Sequence, residues 1–174
     1  MLAYFFILLA VGVRFMPHPW TFTPIVGALL FFGARGSRRQ MWVPLVILAF
    51  GDVLLTKFHY HYLFSWDQFI IWGWYAAILW LGTNLRGGMK PLRILGAALA
   101  SSFSFFLLSN FAVWACWEMY PKTLTGLMAC YAAALPFFRH ATEGDLLFTA
   151  VFFAVPAVMH RLSEAFEGDL TTAA

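Results

Sequence analysis

A carboxylate stands almost alone in the apolar stretch AFGDVLL: Asp52. Ionisable groups inside membrane segments cost about 2.5–3.5 kcal/mol each on insertion scales, so each one is a functional candidate. Asp52 reads either as an interfacial or helix-end residue or as a carboxylate at the outer mouth of a pocket. Asn110, within SSFSFFLLSNFAVW, carries an amide that needs partners in such surroundings. Interhelical glue is one use for it and a pocket wall is another. Arg139 follows PFF and precedes His140, Glu143 and Asp145. It reads as the cation of a salt-bridged loop or as a clamp for an anion or amide.

Aromatic and polar side chains cluster in three further places. RFMPHPWTFTP (14–24) holds Arg14, His18 and Phe22 among three prolines, and prolines preclude a regular helix. KFHYHYLFSWD (57–67) holds His59, His61, Tyr62 and Trp66, and Trp114 stands shortly before ACWEMYPKT (115–123) with Tyr120. Rings of this kind anchor proteins at membrane interfaces. The same rings, concentrated on one side, would also form a ligand lid with hydrogen-bonding tips. Both readings stand at this level.

Other chemistries find little support. His59 and His61 lack a third metal ligand at a convincing spacing, and no metal site is expected. No G-x-S-x-G, H-E-x-x-H, C-x-x-C or phosphate-cradling glycine loop occurs. No catalytic residues are assigned, no cofactor is expected, and an enzyme is not the reading. Cys116 and Cys130 lie in apolar stretches and read as small buried hydrophobes.

The elements that must position these groups follow from composition. Of 174 residues, 62% are hydrophobic and 11% charged, against roughly 25% charged in soluble domains. So few polar groups cannot coat the chain in water, and lipid must be its solvent. The net charge of +3 forms no basic stripe, so nucleic acid is not expected as a partner. Apolar runs fall at about 2–13, 24–34, 41–56, 68–83, 92–117, 123–138 and 145–160. Arg35, Arg38 and Arg39 punctuate one break, and Arg86, Lys90 and Arg93 another. The positive-inside rule makes both breaks cytoplasmic, together with the N-terminus. The expected architecture is all-α: six transmembrane helices plus a short re-entrant or broken helix at 123–138. Seven full helices is the alternative. Residues 1–163 form one transmembrane domain, and 164–174 are expected to be a disordered tail. Gly96/Ala100, Ala97/Ser101 and Ala98/Ser102, four apart in LGAALASS, would permit close helix contact.

RFMPHPWTFTPIVGALLFFGA, the lone Asp52 and SNFAVWACWEMYPKTLTGLMACYAAALPFFRHATEGDLLFTAVFF together resemble a family of uncharacterised small bacterial membrane proteins. That family typically has Asn where Thr21 stands here. LPFFRHATEGDLLFTA is also similar to the segment opening the last helix of biotin-type S-components of energy-coupling-factor vitamin transporters. The spacing of Asp52, the Ser65 loop and Arg139 is similar to solitary cobalamin-type members, though Ser65 replaces their loop cysteine. These resemblances imply a six-helix protein of the bacterial inner membrane, with a vitamin pocket under its extracellular loops. A corrinoid is among the implied ligands, and an energising module or other membrane subunits are the implied partners. Ala3, Ala10 and Gly12 in the first run lack the small-residue docking spacing of S-components. The pocket residues on this reading are Arg14, His18, Phe22, Asp52, Tyr62, Trp66, Asn110, Trp114, Tyr120, Tyr131 and Arg139. The expected function is a substrate-binding subunit for vitamin uptake. An accessory structural subunit of a larger membrane complex is the rival.

Overall fold

The computed structural model of the protein describes residues 1–16, 22–59, 61, 65–88 and 90–172. It contains six α-helices, and no strand is present among the described residues. They are α1 (Leu2–Arg14), α2 (Ile25–Arg35), α3 (Trp42–Leu54), α4 (Asp67–Thr83), α5 (Pro91–Cys116) and α6 (Leu124–Thr172). A 3₁₀ turn at Arg38–Gln40 leads into α3, and a π-helical turn at Leu55–His59 extends it. Three helical stretches are long and apolar enough to cross a membrane: Arg38–His59, Pro91–Cys116 and Leu124–Met159. α1 and α2 are apolar but shorter.

The central element is α2. Its sequence IVGALLFFGAR is apolar on every face up to the terminal arginine, and Ile25 through Ala34 are all buried. A helix without a polar stripe must be surrounded, and α2 is enclosed by α1, α4 and α6. Glycines allow the closest approaches. A Cβ on Gly33 would overlap the Leu79 carbonyl oxygen and lie 2.8 Å from Gly82 Cα. A Cβ on Gly27 would lie 2.9 Å from the Thr149 backbone nitrogen. Backbone-to-backbone packing of this kind is how helices associate where lipid offers no hydrophobic drive. Elsewhere the core is aromatic: Phe6 stacks on Phe152 with centroids 4.0 Å apart, and Phe31 meets Phe153 edge-on at 5.3 Å.

The outward surface carries Phe5, Leu8, Trp42, Phe50, Trp80, Leu92 and Val151, all exposed. Large apolar side chains over most of a surface suit a hydrocarbon solvent rather than water.

The segment 123–138 differs from expectation. It is neither re-entrant nor broken but opens α6, which runs on through Pro136 and Pro156. A proline removes one backbone hydrogen bond, and neighbouring helices can hold the chain helical across it. Here Phe138 packs on Phe106 at 4.8 Å, and the Tyr131 hydroxyl donates to the Leu107 carbonyl at 2.8 Å. The stretch expected to be a loose tail from residue 164 continues the same helix to Thr172. Its sequence to Thr172, EAFEGDLTT, opens with the helix formers Glu164 and Ala165.

α5 and α6 run antiparallel along their shared length. Ala97, Ala98, Ser101 and Ser102 are buried, whereas Gly96 and Ala100 are exposed. The Ala97/Ser101 and Ala98/Ser102 pairs therefore mark the inward face of α5.

Arg35, Arg38, Arg39, Arg86, Lys90 and Arg93 gather at one end of the bundle, which is tied by Arg86. Its Nε donates to the Gly33 carbonyl at 2.7 Å and its Nη2 to the Gly36 carbonyl at 2.8 Å. Partial burial, and then the nearby charge of Arg38, lower its pKa from the usual arginine value. The two bonds satisfy carbonyls that the end of α2 leaves without intrahelical partners. Arg86→Ala should lower stability by about 1–3 kcal/mol, the usual cost of charge-assisted bonds lost to buried acceptors. Arg86→Lys should recover only part, because an ammonium lacks the guanidinium fork. Thermal unfolding in detergent reads both.

Candidate functional site

Side chains from all six helices line a cavity of about 340 Å³. Arg14 ends α1, and a cation in the last turn is favoured by the negative end of the helix dipole. Its Nη1 lies 2.5 Å from Oδ1 of Asp52 on α3. Asp52 is 7% exposed and takes two further bonds from α4. The Trp72 indole donates to Oδ2 at 2.9 Å, and the Tyr75 hydroxyl donates to Oδ1 at 3.4 Å. This carboxylate is therefore paired, hydrogen-bonded and held by three helices, as a buried charge requires.

Asp145 on α6 lines the same cavity and is 6% exposed. Its surroundings are different. The Ser102 hydroxyl of α5 lies 2.6 Å from its Oδ2, and no cation pairs with it among the described residues. Ser102 has one proton and a second acceptor, the Ala98 carbonyl at 3.1 Å. Gln68 of α4 donates to Thr56 Oγ1 at 2.8 Å, while its own Oε1 is buried without a hydrogen-bond partner among the described residues. Trp74, Tyr75 and Phe105 supply aromatic wall. The Trp74 indole is anchored on Ser104 at 3.0 Å, and its ring lies 4.8 Å from Phe105.

Depth follows from helix rise. Asp52 lies ten residues beyond Trp42, and Ser102 eleven beyond Pro91. At 1.5 Å per residue both stand roughly 15–17 Å from the basic end, about half of a ~30 Å hydrocarbon core. The cavity is lined by the last turn of α1, the first turn of α2, the end of α3 and the first turns of α4. The short α1 stops at this level, whereas α5 continues fourteen residues past Ser102 to Cys116.

The structure brings together only part of the residue set drawn from the sequence. Arg14 and Asp52 line the cavity. Phe22 packs beside it, with its ring 5.3 Å from Phe148 and seated on Gly144, where a Cβ would lie 2.9 Å away. His18 and Tyr62 lie outside the described residues. Trp66 is exposed and tilts against Phe69 at 5.5 Å. Asn110 satisfies its amide on the Phe106 carbonyl of its own helix at 2.8 Å. Trp114 donates to the Pro121 carbonyl at 2.9 Å, with Tyr120 half-buried in the same turn, and Tyr131 bonds to α5. All four belong to the far half of the α5–α6 hairpin, away from the cavity. Arg139 is 82% exposed at its side chain and pairs with Glu143 at 2.9 Å, one helical turn on.

Asp145, Ser102, Gln68, Trp72, Trp74 and Tyr75 were not singled out as site residues. For Asp145 the available signal was its position: four residues past Ala141, at the head of an apolar run. The aromatic residues of α4 carried none, since Trp and Tyr in an apolar run read as ordinary packing.

No curated protein and no solved structure matches the chain. A family model covers residues 1–166, nearly the whole length, and the chain belongs to the Family of unknown function (DUF6580).

Proposed function

We propose that this protein is a substrate-binding membrane subunit that takes up a small, vitamin-like molecule through the central cavity. One observation carries the reading: an ion pair and a second carboxyl group, with both carboxylates buried, line one cavity with aromatic walls. Polar groups inside a membrane bundle are costly, so a bundle held together only by packing has no use for three of them. A few convergent polar groups in an otherwise apolar hollow describe a ligand site. The volume sits at the lower end of ligand pockets, roughly 300–1,000 Å³. It suits a single-ring or two-ring molecule and is far too small for a corrin macrocycle. On this reading the basic end is cytoplasmic, the protein lies in the bacterial inner membrane, and ligand enters from the opposite face. Passage to the basic end would require α1 and α2 to shift against α4, or docking on an energising subunit.

Native mass spectrometry on protein purified gently from its own membranes tests this. The expected result is one small molecule per chain, absent from Ala141→Trp, which fills the cavity from α6. A ligand retained by that variant would overturn the reading.

A second reading rests on the far half of the α5–α6 hairpin, where Phe111, Leu124, Met128, Leu135 and Phe137 are exposed. An accessory subunit of a larger complex would cover them with partner helices. Stoichiometric partner proteins without a small molecule in the same spectrum would decide for that alternative.

A further inference from the structure

Three charged side chains line the cavity among the described residues: Arg14, Asp52 and Asp145. Arg14 and Asp52 neutralise each other at 2.5 Å. Among the described residues Asp145 has no ionic partner and Gln68 Oε1 is a buried acceptor with no donor. The groups left over are therefore a carboxyl and an amide oxygen, and both need hydrogen-bond donors. The wall between includes Trp74, Tyr75 and Phe105, whose ring faces attract cations. An anion would meet Asp145 with no free positive charge among the described lining residues to offset it.

We infer that the cavity's ligand is an organic monocation, an ammonium with N–H donors on an apolar or aromatic body. Its charged nitrogen sits against Asp145, with Gln68 Oε1 as a further acceptor and the aromatic side chains around its body. Ser102 then donates its proton to the carboxylate, at 2.6 Å. It holds Asp145 in place as a positioning residue. Arg14 and Asp52 stay paired and shape the opposite wall. This inference rests on the reading of the cavity as a ligand site and adds the charge of what it holds.

The test uses the full chain in detergent and three probes of matched shape: 2-phenylethylammonium chloride, 2-phenylethanol and phenylacetate. Sodium chloride at equal ionic strength is the fourth arm. Binding is read by quenching of tryptophan fluorescence and by thermal shift. The ammonium should bind about tenfold or more tightly than the alcohol, the worth of one desolvated charge contact, and phenylacetate should not bind. Asp145→Asn keeps the side-chain shape and should erase the difference between ammonium and alcohol. Asp145→Glu should restore part of it. Should the Asn variant fold poorly, Ser102→Ala, which keeps the carboxylate, should still prefer the ammonium, and Gln68→Leu should weaken that preference.

Equal binding of the alcohol, preference for phenylacetate, or an ammonium preference that survives in Asp145→Asn would each overturn the inference. A response to sodium as large as that to the ammonium would make the cation inorganic and overturn it too. A neutral or anionic molecule found by native mass spectrometry, and lost in Ala141→Trp, would overturn it while leaving the ligand-site reading standing.

Discussion

Gly33→Val is expected to leave little folded protein. The Cβ alone would overlap the Leu79 carbonyl and crowd Gly82, and Gly82 in turn faces Leu30 and Gly33 across the same crossing. These are backbone atoms of α4, so no side-chain rotamer can relieve the contact. Only separation of the two helices can. Because α2 is enclosed on all sides, moving α4 also loosens its packing against α1 and α6. The cost should reach or exceed the upper end of the about 1–3 kcal/mol usual for overpacking. Gly33→Ala should show the same sign with a smaller loss. Gly73 on α4 and Gly96 on α5 are controls, since a Cβ there meets nothing within 4 Å. Alanine at either should be neutral or stabilise by about 0.4–1 kcal/mol, through reduced entropy of the unfolded chain. Midpoints of thermal unfolding, with the fraction of monodisperse protein, separate the two groups. A Gly33→Val protein as stable as the Gly73→Ala control would show that α2 and α4 do not cross this closely.

The second large effect is expected at the ion pair. Asp52→Ala removes the acceptor from Arg14, Trp72 and Tyr75 together. Removing one member of a buried pair usually costs about 3–5 kcal/mol, because the other is left charged without compensation. Arg14 is 19% exposed at its side chain, which places the expected loss near the lower figure, about 3 kcal/mol. The double variant Arg14→Met, Asp52→Leu removes both charges and should recover much of this. It should not recover all of it, since the Trp72 and Tyr75 donors still lack an acceptor. A double-mutant cycle on thermal stability measures the coupling directly. If the loss in the double variant equals the sum of the losses in Arg14→Met and Asp52→Leu alone, the pair contributes no coupling. The double variant also addresses the cavity. It should fold yet bind the native small molecule poorly, because one wall has lost its polar shape.

Composition and periodicity revealed much of this molecule. Sixty-two per cent hydrophobic residues with 11% charged called for an all-helical chain in lipid, and the helices fall close to the apolar runs. The glycine-containing basic breaks fell at the ends of α2 and α4, where Arg86 ties them together. Asp52 stood out because a carboxylate inside an apolar run costs energy wherever the run folds, and that holds without coordinates. Arg14 was legible as the only charge beside the first run.

Partners were another matter. Arg139 and Asp145 lie six residues apart in one polar stretch and read alike in the sequence. On a continuous helix, six residues is 600° of rotation at 100° per residue, which points them to different faces. Arg139 is therefore exposed, while Asp145 enters the cavity. That separation exists because residues 139–145 are one continuous stretch of α6. Trp72, Tyr75 and Ser102 gained their roles the same way, from whichever carboxylate the neighbouring helix placed opposite. The sequence by itself determined the all-helical class and which residues are too costly to be idle in lipid. Tertiary structure alone decided which of those residues meet, because a helix's facing and its neighbour's register are set by long-range packing.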